Sequence, residues 1–220
     1  MATVAAQVGT AVRTRTYGSP ERSIKIPSMV RRRLRLDPPL PGARRVEIGS
    51  GFRPSPGVIH VDVVRRPHVE FVSPGDKLPF ADGWVEELMA VHMLEHVPPP
   101  RVRATLAEWH RVLGRGGRLE VHVPNGEALS RALLEHPDDM WAIQGAIFGY
   151  GTGPEAGQPG DLIGEPGHRT LWVFELLLDT LRTAGFDDVR DVSTERRCHH
   201  ARYWSATLPD LCLEVTARKT

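Results

Sequence analysis

With 220 residues, a mass of 24.4 kDa and 40% hydrophobic residues, the chain suits one domain with a full core. No apolar run approaches the roughly 18 residues of a membrane span, the N-terminus has no apolar secretory segment, and two cysteines, Cys198 and Cys212, supply neither a disulfide framework nor a metal spacing. A formal net charge of +1 excludes a nucleic-acid-binding surface over the whole protein, and a reducing, cytoplasmic setting is expected.

The charge is nevertheless unevenly placed. Within residues 1–40, Arg13, Arg15, Arg22, Lys25, Arg31, Arg32, Arg33 and Arg35 stand against only Glu21 and Asp37, and no clear period runs through them. They read as a basic N-terminal arm, either solvated or placed to bind a phosphate or carboxylate through bidentate guanidinium contacts. Residues 28–36 suit one short helix, closed by Asp37-Pro38-Pro39 because the residue before a proline is pushed out of the α region. The folded domain is expected over 41–220.

Residues 46–48 and 58–63 are the first two strands, joined through Gly49-Ser50-Gly51, and the second carries Asp62. Glycines at a strand end let the backbone turn back against a nucleoside, and an acid on the next strand is the natural acceptor for its ribose hydroxyls. An adenosine cofactor is expected. It is not NAD, because the third glycine of a dinucleotide fingerprint is missing where Gly51 runs into Phe52-Arg53-Pro54. About nine residues separate the strands, too few for a helical crossover. With a third strand at 69–72 after another short link, the first half of the sheet is trimmed, and the arm or a second copy of the chain should cover it.

Beyond Gly83 the pattern is regular. A strand is expected at 85–91, then a helix carrying Val102, Leu106, Trp109 and Leu113, stopped by Gly114, Gly116 and Gly117. Leu119, Val121 and Val123 mark a fifth strand. An insertion over about 126–170 includes a glycine- and proline-rich stretch at 148–167 that is too long for a plain connection, and a lid or substrate loop is expected there. Phe174, Leu177, Leu178 and Leu181 form the next helix, ended by Gly185, and 189–192 with 211–217 make the last two strands.

His92-Met93-Leu94-Glu95-His96 matches the inverted zinc-protease pattern letter for letter. The context opposes zinc: the residues follow a buried strand directly and precede Pro98-Pro99-Pro100, which leaves barely one turn to orient ligands. No metal is expected. His96 reads as a packed histidine, and the adjacent His199 and His200 cannot both face one ion from a strand. By placement, His92, Tyr150 and His168 are the candidate catalytic bases.

In chain order, Val46-Glu47-Ile48-Gly49-Ser50-Gly51, Leu78-Pro79-Phe80-Ala81-Asp82-Gly83, the segment from Val91 to Val97, and Glu108 through Leu119 resemble the class I S-adenosylmethionine-dependent methyltransferases, specifically the methyltransferase type 11 group. The glycine- and proline-rich loop from Gly51 to Gly57 is similar to that of a predicted bacterial branch. The resemblance implies a Rossmann-like α/β fold with a mostly parallel seven-stranded sheet, an antiparallel edge hairpin and S-adenosyl-L-methionine as cofactor. It places Glu47 near the cofactor's amino group, Gly49, Ser50 and Gly51 against its body, and Asp76, Lys77 and Leu78 at the adenine. His92 then lies beside the methionine end. Arg53, where relatives carry the third glycine, is a candidate for holding the cofactor's carboxylate.

The function expected is methyl transfer to a small polar metabolite such as a sugar, nucleotide-sugar or natural-product intermediate. A catalytically silent partner subunit, or a zinc hydrolase using His92, Glu95 and His96, are the alternatives. The partners expected are the small-molecule acceptor, anionic if the arginines bind it, and a second copy of the chain if a homodimer covers the sheet. Neither a membrane nor nucleic acid is expected.

Overall fold

The computed structural model describes residues 44–51, 54–149, 167–193 and 211–220, with Trp141 and Ala142 described by backbone alone. The expected arm at 1–40, Arg53, Tyr150, nearly all of the 148–167 loop, and Cys198, His199 and His200 lie outside the described residues. No described helix is long and apolar enough to cross a membrane.

Seven strands form one sheet in the order β3-β2-β1-β4-β5-β7-β6. They are β1 (Arg45–Ile48), β2 (Ile59–Asp62), β3 (Phe71–Val72), β4 (Val85–Val91), β5 (Leu113–Pro124), β6 (Phe186–Asp191) and β7 (Cys212–Lys219). The first five pair in parallel, and β7 runs antiparallel to both β5 and β6. This is the Rossmann-like arrangement with the edge hairpin expected from the sequence. Four α-helices are described: α1 (Pro99–Val112), α2 (Gly126–Glu135), α3 (Met140–Phe148) and α4 (Phe174–Thr183).

Strand alternation gives the sheet two unlike faces. On one face Val46 pairs with Ile59 and Leu88, Ile48 with Val61 and Ala90, and the rows continue through Leu119 and Val121 to Ala217 and Val215. These residues share one core cluster with Val102, Leu106 and Trp109 of α1 and Leu177 and Leu181 of α4. Burying each large apolar side chain there stabilises the fold by about 1.5–3 kcal/mol.

The opposite face is polar and still largely buried. Glu47 lies in register with His60 and Met89, Met89 with Glu120, Glu87 with Arg118, and His122 with Glu214. Ion pairs cross the strands from Arg45 to Glu87 and from Arg118 to Glu87 (3.4 Å), and run along β5 from Arg118 to Glu120 (2.7 Å) and from Glu120 to His122 (2.9 Å). A buried carboxylate persists only with such partners, because removing its hydration without compensation is costly.

The trimmed first half is present: among the described residues the first helical turn, Leu94–His96, follows β4. Three boundaries differ from the sequence reading. The third strand is confined to Phe71–Val72 because Val69 is held in a turn, its N–H bonded to the Arg66 carbonyl. Leu113 leaves the first helix and opens β5, where residues 114–117 bulge between the Val85–Leu113 and Glu87–Arg118 pairs. A Cβ on Gly114 would come within 2.9 Å of the Gly83 carbonyl oxygen, so only glycine allows that approach. β6 starts at Phe186, not at 189, because Gly185 at φ +94° turns the chain straight from α4 into the edge strand.

Candidate functional site

The glycine turn and the acid of β2 meet as the spacing requires. Gly49 (φ +70°) donates its N–H to the Val61 carbonyl at 2.8 Å, and Gly51 (φ +53°) donates to Oδ2 of Asp62 at 2.9 Å. Oδ1 of Asp62 accepts from Val64 N–H at 2.8 Å, and Arg66 approaches Oδ2 at 3.0 Å. The carboxylate is thus fixed in direction by two backbone donors. A carboxylate has about four acceptor positions, so capacity remains for a ribose hydroxyl. A Cβ on Gly49 would lie 2.6 Å from Cγ of Met93, the residue two beyond β4.

These residues fit the nucleoside end of an adenosine cofactor. Ser50 is 4% exposed, and its hydroxyl has no hydrogen-bond partner among the described residues; a polar ligand group would satisfy it. Val63, next to Asp62, exposes 59% of its surface and offers apolar area to a base. Sequence reasoning passed over it, since one valine after an acid carries no signal.

Glu47 is buried. It accepts from the N–H (2.8 Å) and hydroxyl (3.0 Å) of Ser55, and His60 Nε2 lies 3.4 Å from its carboxylate. Burial pushes its carboxyl above the usual range against the opposing pull of Ser55 and His60. At the expected adenine segment, Asp76 is paired with Arg101 and Lys77 is exposed. Leu78 is buried in the core cluster, with its N–H on Oε1 of Glu108 at 2.6 Å. Burial would raise the Glu108 carboxyl, but Arg111 and that N–H hold it below the usual range.

At the end of β4 the structure brings together two of the three expected bases. His92 has φ +50°, an unusual backbone region for a residue with a Cβ. Its Nδ1 lies 3.1 Å from Oε1 of Glu95, and His168 Nε2 lies 3.8 Å from the same oxygen. The His96 ring packs edge-on against His168 at 4.8 Å. Glu95 is fully buried; burial would raise its carboxyl, yet the bond from His92 and the charges of His92, His96 and His168 hold it low. Burial pushes His168 down more than Glu95 pulls it up. With its Nδ1 3.2 Å from the Ile147 carbonyl, its proton belongs on Nδ1 and its lone pair on Nε2. The arrangement is an ionised carboxylate bonded to His92 with His168 beside it, suited to orienting His92 as a proton acceptor.

Glu95 entered the sequence reading only through the zinc pattern. Its turn is 3₁₀, so His92 and His96 do not share an α-helical face; Glu95, His96 and His168 instead bring ligand atoms within 4.8 Å of one another. A second cluster also escaped: His122, Cys212 and Glu214, all buried, with ligating atoms within 4.8 Å of one another. The polar residues Glu120 and His122 alternating with Leu119, Val121 and Val123 were its one visible signal.

Residues 50–121 match the family model described as a methyltransferase domain. No curated protein matches the sequence significantly. Among solved structures, the chain is similar to a methyltransferase from Thermotoga maritima described as a possible histamine N-methyltransferase. That likeness has a TM-score of 0.50 and 19% identity over 82% of this chain and 84% of that one. A methyltransferase from Archaeoglobus fulgidus gives a TM-score of 0.50 and 16% identity over 87% and 92%. The Burkholderia thailandensis 1,6-didemethyltoxoflavin-N1-methyltransferase, solved with S-adenosylhomocysteine, gives 0.49 and 19% over 88% and 76%. At these identities the structural likeness speaks for the fold.

Proposed function

We propose, from the premise that this chain is a class I S-adenosylmethionine-dependent methyltransferase, that it methylates a small polar metabolite, with His92 taking the acceptor's proton. The observation that carries this reading is the His92–Glu95–His168 group at the end of β4, next to Met93 and the glycine turn. When bound, the cofactor supplies a methyl group on a positively charged sulfur, open to in-line attack. The chain's own residues then have to hold the acceptor aligned and accept its proton. Asp62 would hold the ribose, Ser50 and the glycine turn would line the body of the cofactor, and Glu95 would keep the His92 proton on Nδ1, leaving Nε2 to act as base.

The acceptor side is assigned to the 126–170 insertion. Its α2 and α3 are ordered by Asn125, which accepts from the N–H groups of Glu127 and Ala128, and by Gly149 at φ +72°. Residues 167–170 tie the insertion to Glu95, since His168 donates its N–H to the Phe148 carbonyl and Arg169 donates to the Glu95 carbonyl. The polar groups His92, Glu95 and His168 beside it support a sugar, nucleotide-sugar or natural-product intermediate as acceptor.

The test is a methyl-transfer screen of the purified full chain against polar metabolites, repeated with Glu95→Gln. Turnover should fall about 100-fold, within the range of general-base catalysis, while affinity for S-adenosylhomocysteine stays unchanged. Unaltered turnover in a folded Glu95→Gln protein would remove His92 as the base. Cofactor binding without transfer to any polar acceptor would overturn the acceptor class.

A further inference from the structure

The geometry points to a second site: a zinc-class divalent cation held by His122 of β5 and Cys212 and Glu214 of β7. His122 and Glu214 are directly opposed in the antiparallel register, and Cys212 is opposite Pro124, two residues along on the same face. The three residues offer ligand atoms within 4.8 Å of one another, and His122, Cys212 and Glu214 are 7%, 5% and 2% exposed. Donor atoms about 3.3–3.8 Å apart are what zinc–nitrogen, zinc–oxygen and zinc–sulfur bonds of about 2.0–2.3 Å produce around a tetrahedron. From its present limit of 4.8 Å the cluster would contract to reach that spacing.

The surroundings are built for it in three respects. First, Glu120 lies 2.9 Å from Nε2 of His122 and is itself anchored by Arg118 at 2.7 Å. A carboxylate on one ring nitrogen orients the ring, the usual support of a metal-bound histidine, and the same Nε2 lies 3.9 Å from Oε2 of Glu214. Second, a dication bound by one carboxylate, one thiolate and one neutral imidazole makes a set with no net charge, which suits a buried place. Third, thiolate with imidazole suits zinc and its neighbours in the transition series, while magnesium and calcium demand oxygen sets.

Three protein ligands leave one tetrahedral position. His92 Nε2, 3.8 Å from the Cys212 sulfur, borders it. The site therefore adjoins the proposed base, and an acceptor oxygen or a water bound there would lose its proton more readily. That last consequence rests on the methyl-transfer reading; the ion site itself does not.

The experiment uses the full chain, stripped of metal by chelation and then titrated with zinc by calorimetry and with cobalt(II) by absorption. One equivalent of each should bind, and cobalt should show a thiolate-to-metal charge-transfer band with strong tetrahedral ligand-field absorption. The band should survive Cys198→Ser and disappear in Cys212→Ser, and Glu120→Gln should weaken zinc about 10- to 100-fold while keeping the band. Should Cys212→Ser fail to fold, the Cys198→Ser protein decides alone, since Cys212 is then its one cysteine. Binding below one equivalent, cobalt bound without the band, or a band lost in Cys198→Ser would each overturn the site. None of these outcomes bears on cofactor binding, so failure here is distinguishable from failure of the methyltransferase reading.

Discussion

Asp62 shows how one residue can be prepared for a ligand by its own backbone. Gly51 and Val64 aim its carboxylate, and Arg66 holds one oxygen. Replacing it with alanine should weaken S-adenosylhomocysteine binding by about 1.5–3 kcal/mol, the scale of hydrogen bonds to a charged acceptor, as read by calorimetry on a protein that still melts cooperatively. Gly49 is constrained twice, by φ +70° and by the Met93 side chain in the space a Cβ would need. Gly49→Ala should cost about 1–3 kcal/mol of stability. Adding Met93→Ala should recover only the steric share, because the backbone strain stays. Full recovery in the double variant, measured by urea denaturation, would mean that the dihedral angle costs nothing.

Among the elements, α1 joins the core to the cofactor side. Its apolar residues Val102, Leu106 and Trp109 recur at helical spacing and are buried against the sheet. The indole N–H of Trp109 donates to the Gly75 carbonyl at 2.9 Å, and Arg111 reaches the Phe80 carbonyl at 3.0 Å. The helix thereby fixes the segment 75–80 that carries Asp76, Lys77 and Leu78. Leu106→Ala should cost about 2–5 kcal/mol, as for a fully buried leucine whose cavity cannot collapse. Trp109→Phe, which keeps the aromatic packing and removes the bond to Gly75, should cost about 1 kcal/mol. Equal denaturation midpoints for wild type and Trp109→Phe would show that the Gly75 contact is not stabilising.

At the scale of the whole molecule, the buried histidines set a pH optimum for stability. Burial is the main cause holding His68, His110 and His168 below 6.5. Unfolded, these residues take up protons near 6.5, so stability falls as pH drops from there toward their folded values. His60 has the opposite sign. Burial pulls it down, but the bond from Glu70 and the charges of Glu47 and Glu70 outweigh that and raise it above 6.5. Its contribution is complete below 6.5 and is lost as pH rises through its folded value. Denaturation midpoints from about pH 5 to about pH 8 should therefore pass through a maximum near the ordinary histidine range. The His60→Gln protein should lose the decline on the alkaline side, and an unchanged alkaline limb would remove His60 as its cause.

The sequence by itself determined what short-range patterns encode. Gly49 and Gly51 before a strand ending in Asp62 announced a turn that meets the acid, because the two are linked by strand geometry alone. Alternation and helical spacing placed β4, α4 and β7 within a residue or two, and the nine-residue link agrees with the absence of a helix between β1 and β2 among the described residues. What the tertiary structure decided are meetings between distant segments. Glu95 met His168 only when residues 167–170 folded back onto it. The pairing of β5 with β7 brought His122 to Cys212 and Glu214, which lie ninety or more positions away along the chain. Nor could the sequence show that one sheet face would be an ion-paired layer, since an acid within an apolar strand, such as Glu87 or Glu120, carries no local sign of a partner on the next strand. Register across strands is set by the whole sheet, and the burial of those carboxylates follows from it.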